Sequence, residues 1–184
     1  FPYTTLFRSA YAQATNDLNP LYVEGDSVMA SPFFAVRPVM QAIGAAVMDE
    51  ALNCNIMRLL HGEQDMRFNA PLYPKDLICT RSTIHSIEEK SSGELLEIKQ
   101  RIMRDGEAVC EIISGYFVRN KSKGEKSKSE ASAPAEPEAR DLLFECSYTV
   151  DADQSLRYAE ASLDRNPIHV DEAIAKAAGL PGII

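Results

Sequence analysis

Tyr158-Ala-Glu-Ala-Ser-Leu-Asp-Arg-Asn-Pro-Ile-His-Val-Asp171 repeats Tyr11-Ala-Gln-Ala-Thr-Asn-Asp-Leu-Asn-Pro-Leu-Tyr-Val-Glu24 at an offset of 147 residues. Tyr, Ala, Ala, Asp, Asn, Pro and Val coincide in the two strings. Self-similarity at domain-sized spacing points to a duplicated domain and not to a short-period solenoid. The strings part company at a chemically telling position, Tyr22 in the first and His169 in the second. One working copy and one silent copy are therefore expected.

The flanking chain is consistent with a small duplicated protein. Its 184 residues suit one large domain or one and a half ordinary ones. The hydrophobic share, 45%, is that of a globular chain. A net charge of −8 gives no general attraction to nucleic acid or anionic lipid, so neither partner is expected. No apolar run approaches the roughly 20 residues that span a bilayer. Cys54, Cys79, Cys110 and Cys146 lack C-x-x-C spacing and read as reduced, mostly buried thiols of a cytoplasmic protein.

Both ends are unusual. Residues 1–9, Phe1-Pro-Tyr-Thr-Thr-Leu-Phe-Arg-Ser9, resemble the translation of a common sequencing-adapter oligonucleotide and are set aside as a non-native leader. Gly179-Leu-Pro-Gly-Ile-Ile184 stops within an apolar run, which reads as a fragment of a longer protein.

Residues 10–119 form one block. Ala10 to Asn16 reads as a short helix, and Asp17 to Tyr22 as a turn, because Asn19-Pro20 breaks the helix. Arg37-Pro38 opens a helix over Val39 to Leu52, buried on most sides. Strands are expected over 62–68, 76–88, 94–104 and 107–118, with hairpin signals at Ser91-Ser92-Gly93 and Asp105-Gly106. One long helix followed by antiparallel strands is an α+β pattern in which a sheet wraps a helix. Residues 120–140 carry no aliphatic side chain larger than Ala and read as a flexible linker. The lysines from Lys121 to Lys128 have glutamate among them and no aromatics, so they belong to that linker. Residues 141–184 begin a second block: a strand over Leu142 to Val150, a helix from Gln154 to Leu163 capped by Asp153, and a second helix capped by Asp171 and ending at Gly179.

Chemistry concentrates in Asp164 to His169. Pro167 fixes its own φ and pushes Asn166 out of the helical region, so the turn holds a carboxylate and an imidazole at a set separation. Asn166 can lock the turn through the backbone. A carboxylate and a neutral imidazole sharing one water can take a proton from it and deliver another. On spacing alone, such a pair also arises by chance. His61, His85 and His169 form no close pair, so no metal site is expected, and no G-x-S-x-G announces a nucleophile. His61 reads as a group satisfying backbone, His85 as solvent-facing, and Met57, Met66 and Met103 as core fillers.

The longer string Tyr158-Ala-x-Ala-Ser-Leu-Asp-x-Asn-Pro-Ile-His-x-Asp, followed by Ala-x-x-Ala-Gly-Leu-Pro-Gly-Ile-Ile, resembles the signature of MaoC-like dehydratases, the type 2 (R)-specific enoyl-CoA hydratases of the hotdog fold. The resemblance covers residues 144–184 and departs from the family at Leu163, where Gly often precedes the aspartate. Residues 10–119 resemble the amino-terminal hotdog domain of two-domain members, through Thr15-Asn-Asp-Leu-Asn-Pro-Leu-Tyr22, the helix after Pro38, and His61-Gly-Glu-Gln-Asp-Met-Arg-Phe68 leading to Pro71-Leu-Tyr-Pro-Lys-Asp76.

The resemblance implies a tandem double hotdog whose second copy is incomplete, with the long central helix wrapped by a curled antiparallel sheet. It implies that Asp164 and His169 activate the water that adds to C3 of a trans-2-enoyl thioester, carried by CoA or acyl carrier protein, and protonate C2 to give the (R)-3-hydroxyacyl product. Asn166 would orient the site. Tyr22 and Asp17 would belong to the substrate pocket of the degenerate copy, Asp17 chiefly as a structural group. The family polarises the thioester carbonyl with backbone N–H groups of a helix expected shortly after Ile184. No cofactor is implied, and the expected assembly is a homodimer of double hotdogs.

Two other functions fit parts of the chain. A hotdog thioesterase would use a carboxylate near the long helix, where Asp49 and Glu50 stand, although that stretch reads better as a solvated helix end. A non-catalytic acyl-thioester-binding protein would suit the first copy alone, but the intact second motif argues against it.

Overall fold

The computed structural model describes residues 5–24, 29–120 and 145–183. Four antiparallel strands form one sheet in the order β1-β4-β3-β2, with β1 at Leu59–Phe68, β2 at Ile78–Lys90, β3 at Gly93–Arg104 and β4 at Glu107–Arg119. All four expected strands are present, each within three residues of its expected ends. Both hairpin signals hold. Asp105 and Gly106 take φ values of 52° and 86°, the left-handed pair that joins Arg104 to Glu107 in a two-residue turn. Ser91-Ser92 closes the other hairpin between Lys90 and Gly93.

Alternation along β3 and β4 puts Leu96, Ile98, Ile102, Ile112 and Tyr116 on one face, buried against the long helix α3 (Val36–Val47). Val36, Val39 and Ile43 are the buried stripe of α3. Burying each such aliphatic side chain stabilises the fold by about 1.5–3 kcal/mol. Two polar residues share this core face. Ser114 lies within hydrogen-bond distance of both Gln100 and Gln64, with oxygen–oxygen distances of 3.3 and 3.4 Å.

The helix differs from expectation at both ends. A 3-10 turn, Pro32–Ala35, feeds into α3 at Val36, which places Pro38 inside the first turn, where a missing N–H costs nothing. α3 stops at Val47, and Asp49 then caps a separate 3-10 turn, Glu50–Leu52, by accepting from Ala51 N–H at 2.9 Å.

α1 spans Thr5–Ala14, so it begins five residues before Ala10. The expected turn after Asp17 contains a one-turn helix, α2 (Pro20–Val23). In the second block, α4 (Gln154–Ser162) and α5 (Glu172–Ala177) are where the caps placed them. Asp171 accepts from Ile174 N–H at 3.0 Å, and Gly179 takes φ 82° beyond the helix end. Asp153 holds the N-cap position of α4 without a side-chain cap bond; its carboxylate pairs with Arg157 at 3.3 Å. The strand expected over Leu142 to Val150 is not formed at 145–150, which carry no regular structure, and its first three residues lie outside the described residues. The linker stretch beyond Asn120 likewise lies outside them.

Among the other sequence expectations, His85 is exposed as anticipated. Met66 packs on the core, whereas Met57 is exposed on its 3-10 turn. The four thiols are free, but only Cys110 is buried; Cys79 and Cys146 are exposed because their segments leave them outside the helix–sheet core. No helix among the described residues is long and apolar enough to cross a membrane.

Candidate active site

The two blocks meet through α1 and α4. Arg37 Nε of α3 donates to the Ala161 carbonyl in the last turn of α4 at 2.7 Å, a charge-assisted bond that anchors the end of the helix. Arg157 reaches the Gln13 carbonyl and Asn16 Oδ1, each at 3.4 Å.

At the C-terminal end of α4 the chain reverses at Leu163, whose φ of 68° lies in the left-handed region. A Cβ in that region costs roughly 1–2 kcal/mol, which is the physical reason a glycine suits this position. From there each residue of the loop is tied down. Asp164 N–H donates to the buried Ser162 Oγ at 3.1 Å, and Asn166 N–H donates to Asp164 Oδ1 at 3.3 Å. Asn166 Oδ1 accepts from Ile168 N–H at 3.4 Å and caps the 3-10 turn Pro167–His169. With Oδ1 engaged, Asp164 presents Oδ2 to His169 Nε2 at 3.8 Å. That separation is too long for a direct hydrogen bond and suited to one water between them. Both side chains are about 30% exposed, at 30% for Asp164 and 29% for His169, so solvent and substrate can reach them.

The pair forms part of the wall of a cavity of about 660 Å³. Val36, Met40, Ile43, Gly44 and Val47 of α3 line its apolar length, with Phe33, Ile56 and Leu59. Asp164, Asn166 and His169 also line it, with His61, Gln64 and Tyr116. A second cavity of about 420 Å³, lined by Thr15, Val150, Gln154 and Tyr158, shares Asp164 and His169. The pair is thus reached from two sides.

The other sequence candidates lie elsewhere. Asp17 Oδ2 accepts from the buried Ser31 hydroxyl at 3.0 Å, and neither Asp17 nor Tyr22 lines the cavity that holds Asp164 and His169. Asp49 and Glu50 are exposed and do not line it either. Among the described residues no group of three His, Cys, Asp or Glu side chains could hold a metal ion.

Sequence reasoning missed His61 and Tyr116 as part of this site. The backbone contact expected of His61 exists, with Nε2 3.1 Å from the Glu63 carbonyl across a β-bulge. The same ring also stacks on Tyr116, centroids 4.7 Å apart and planes at 23°. His61 keeps an exposed edge, yet partial desolvation in the cavity wall holds its imidazole below its ordinary pKa, against the opposing pull of the Glu63 carbonyl and the Asp164 charge. Burial pushes the Tyr116 phenol up to about 12, and the charge of Asp164 acts in the same direction. Only the cross-strand register, which pairs His61 with Tyr116, brings these residues to the cavity, and no local motif announces that register.

A helix lying on a four-stranded antiparallel sheet is the hotdog arrangement, and here an Asp–His pair stands in the wall of its cavity. Residues 4–120 match the MFE-2 hydratase 2 N-terminal domain family, and residues 134–184 match the MaoC like domain. The chain belongs to this MaoC-like dehydratase group, with an MFE-2 hydratase 2 N-terminal domain over its longer part. It is 30% identical to a UPF0336 protein of Thermobifida fusca over 118 residues, 59% of this chain and 78% of that protein. It is 26% identical to the peroxisomal hydratase-dehydrogenase-epimerase of Saccharomyces cerevisiae over 98% of this chain and 22% of that protein. Among solved structures it shares the fold of HtdX of Mycobacterium tuberculosis, with a TM-score of 0.77 and 17% identity over 100% of this chain and 67% of that one.

Proposed function

We propose that this protein catalyses the reversible hydration of trans-2-enoyl thioesters, carried by CoA or acyl carrier protein, to (R)-3-hydroxyacyl thioesters. The observation that supports it is the 3.8 Å gap between Asp164 Oδ2 and His169 Nε2 in the wall of a largely apolar cavity. A water held between them gives one proton to the pair as its oxygen bonds to C3. The pair returns a proton to C2 as the double bond is lost, so hydration and dehydration are one path in two directions. The acyl chain would lie along α3. The family names of both matched segments and the hydratase in the name of the yeast relative accord with this chemistry.

In this reading residues 10–119 are the degenerate hotdog that shapes the pocket, residues 120–140 link the copies, and residues 141–184 open the working copy. The assembly would be a homodimer, with β1 and β2 standing at the edges of the sheet among the described residues. Four free thiols suit a cytoplasmic setting.

The test is spectrophotometric. The full-length parent should bleach the enoyl absorbance of crotonyl-CoA and of longer enoyl-CoA esters without releasing thiol. Asp164→Asn and His169→Ala should each lower the rate by roughly 10²–10⁴ while leaving the thermal midpoint near wild type. Thiol release in place of bleaching would mean a thioesterase, and wild-type rates in both variants would remove the pair from the mechanism.

A further inference from the structure

We infer that His61, supplied by the first copy, is a third hydrogen-bonding group for the reacting water of the second. The inference rests on the hydratase reading above and adds a residue from the half whose own motif carries Tyr22 in place of histidine.

Three observations carry it. His61 lines the same cavity as Asp164 and His169. Its Nε2 faces the Glu63 carbonyl at 3.1 Å, and because a carbonyl can only accept, Nε2 bears the hydrogen. That leaves Nδ1 of the neutral ring as an acceptor. Finally, the stack on Tyr116 at 4.7 Å fixes the plane of the ring. The β-bulge at Gly62 is the local device that lets His61 face the Glu63 carbonyl and the Tyr116 ring together.

The chemistry follows from what a water needs in an addition to C3. One of its hydrogens goes to the Asp164–His169 pair. If the other is free, the water can rotate and its lone pair wanders from the reacting carbon. An acceptor for that second hydrogen holds the lone pair on C3. The group must be neutral, since an imidazolium offers no lone pair, and partial desolvation in the cavity wall favours the neutral ring here. Misplacement of a reactant by about 1 Å can cost 10²-fold in rate.

The test compares His61→Phe with His61→Asn. Phe keeps a ring against Tyr116 and removes the acceptor. Asn places a carbonyl oxygen close to where Nδ1 stood. His61→Phe should lower kcat by roughly 10- to 100-fold with KM within about twofold of wild type, and His61→Asn should recover most of that loss. Wild-type kcat in His61→Phe, or equal losses in the two variants, overturns the inference. Nitrogen-15 NMR of the unsubstituted protein gives a reading independent of any variant: His61 should be the neutral Nε2–H tautomer near neutral pH, and an Nδ1–H tautomer overturns the inference. Asp164→Asn, assayed alongside, separates the two claims. Full hydration in that variant sinks the hydratase mechanism itself, whereas its loss with intact His61→Phe activity sinks only the role of His61.

Discussion

Tyr11 and Tyr158 hold the same place in the two sequence repeats and pack on each other, ring centroids 5.9 Å apart and planes tilted by 59°. The repeated segments are therefore not only alike but in contact. Their turns match as well. Asn19 takes φ −57° and ψ 125°, Asn166 takes φ −56° and ψ 126°, each followed by Pro and each capping a one-turn helix with its side chain. Tyr22 and His169 sit at equivalent places in those turns, so one local architecture presents a phenol in one copy and an imidazole in the other.

The tyrosine contact should be measurable as a coupling. Tyr11 is 1% exposed, and truncating a buried aromatic to Ala costs about 3–5 kcal/mol. In a double-mutant cycle with Tyr158→Ala, urea denaturation should return an interaction energy of about 0.5–1.5 kcal/mol. Strict additivity would mean that the two copies do not support each other through this pair.

The paired turns allow a second comparison. Asn19→Ala and Asn166→Ala each remove a capping side chain and should cost a similar amount, about 1 kcal/mol, by chemical denaturation. Only Asn166→Ala should depress hydration, because only that turn sets the distance from Asp164 to His169. Equal turnover in the two variants would show that the cap does not govern the spacing of the pair.

Gly44 lies on the cavity side of α3, and a Cβ built there meets nothing within 4 Å. Gly44→Ala should fit without strain and stabilise the helix by about 1 kcal/mol. Gly44→Leu should fill part of the cavity beside α3. We expect it to spare crotonyl-CoA and to raise KM for ten-carbon and longer substrates; unchanged chain-length preference would place the acyl group elsewhere.

Acid sensitivity should trace in part to His61. Desolvation lowers its pKa in the folded state, so below the ordinary value of about 6.5 the unfolded chain takes up the proton more readily. Stability from this group is present above that value and falls as pH drops toward the lowered folded value. Asp164 opposes the shift, His169 reinforces it, and Tyr116, at about 12, does not titrate in this range. Urea midpoints should decline less steeply on acidification in His61→Phe than in the wild type, and parallel declines would assign the sensitivity to other groups.

Much of this was legible in the sequence because the signals are local. Asp105-Gly106 fixes its turn by backbone preference, and the spacing of Asp164, Pro167 and His169 fixes the loop. What local pattern did not carry depends on neighbours. Residues 145–150 look like a strand but have no partner strand among the described residues. Asp153 is a good capping residue drawn away by Arg157. α3 was placed three residues late because the preceding Pro32–Ala35 turn supplies its start and Pro38 tolerates the first turn. His61 joined the cavity through register, which the sequence of β1 alone does not encode.

The Arg37 to Ala161 bond ties the end of α4, from which the Asp164 loop departs, to the first block. A chain pruned of its first hundred residues would still encode both reactive side chains, yet lack the strut that holds them and the hollow beside them. On the proposed mechanism, a lesion in the first block, far from Asp164 in sequence, would surface as a slow enzyme before it surfaced as an unstable one.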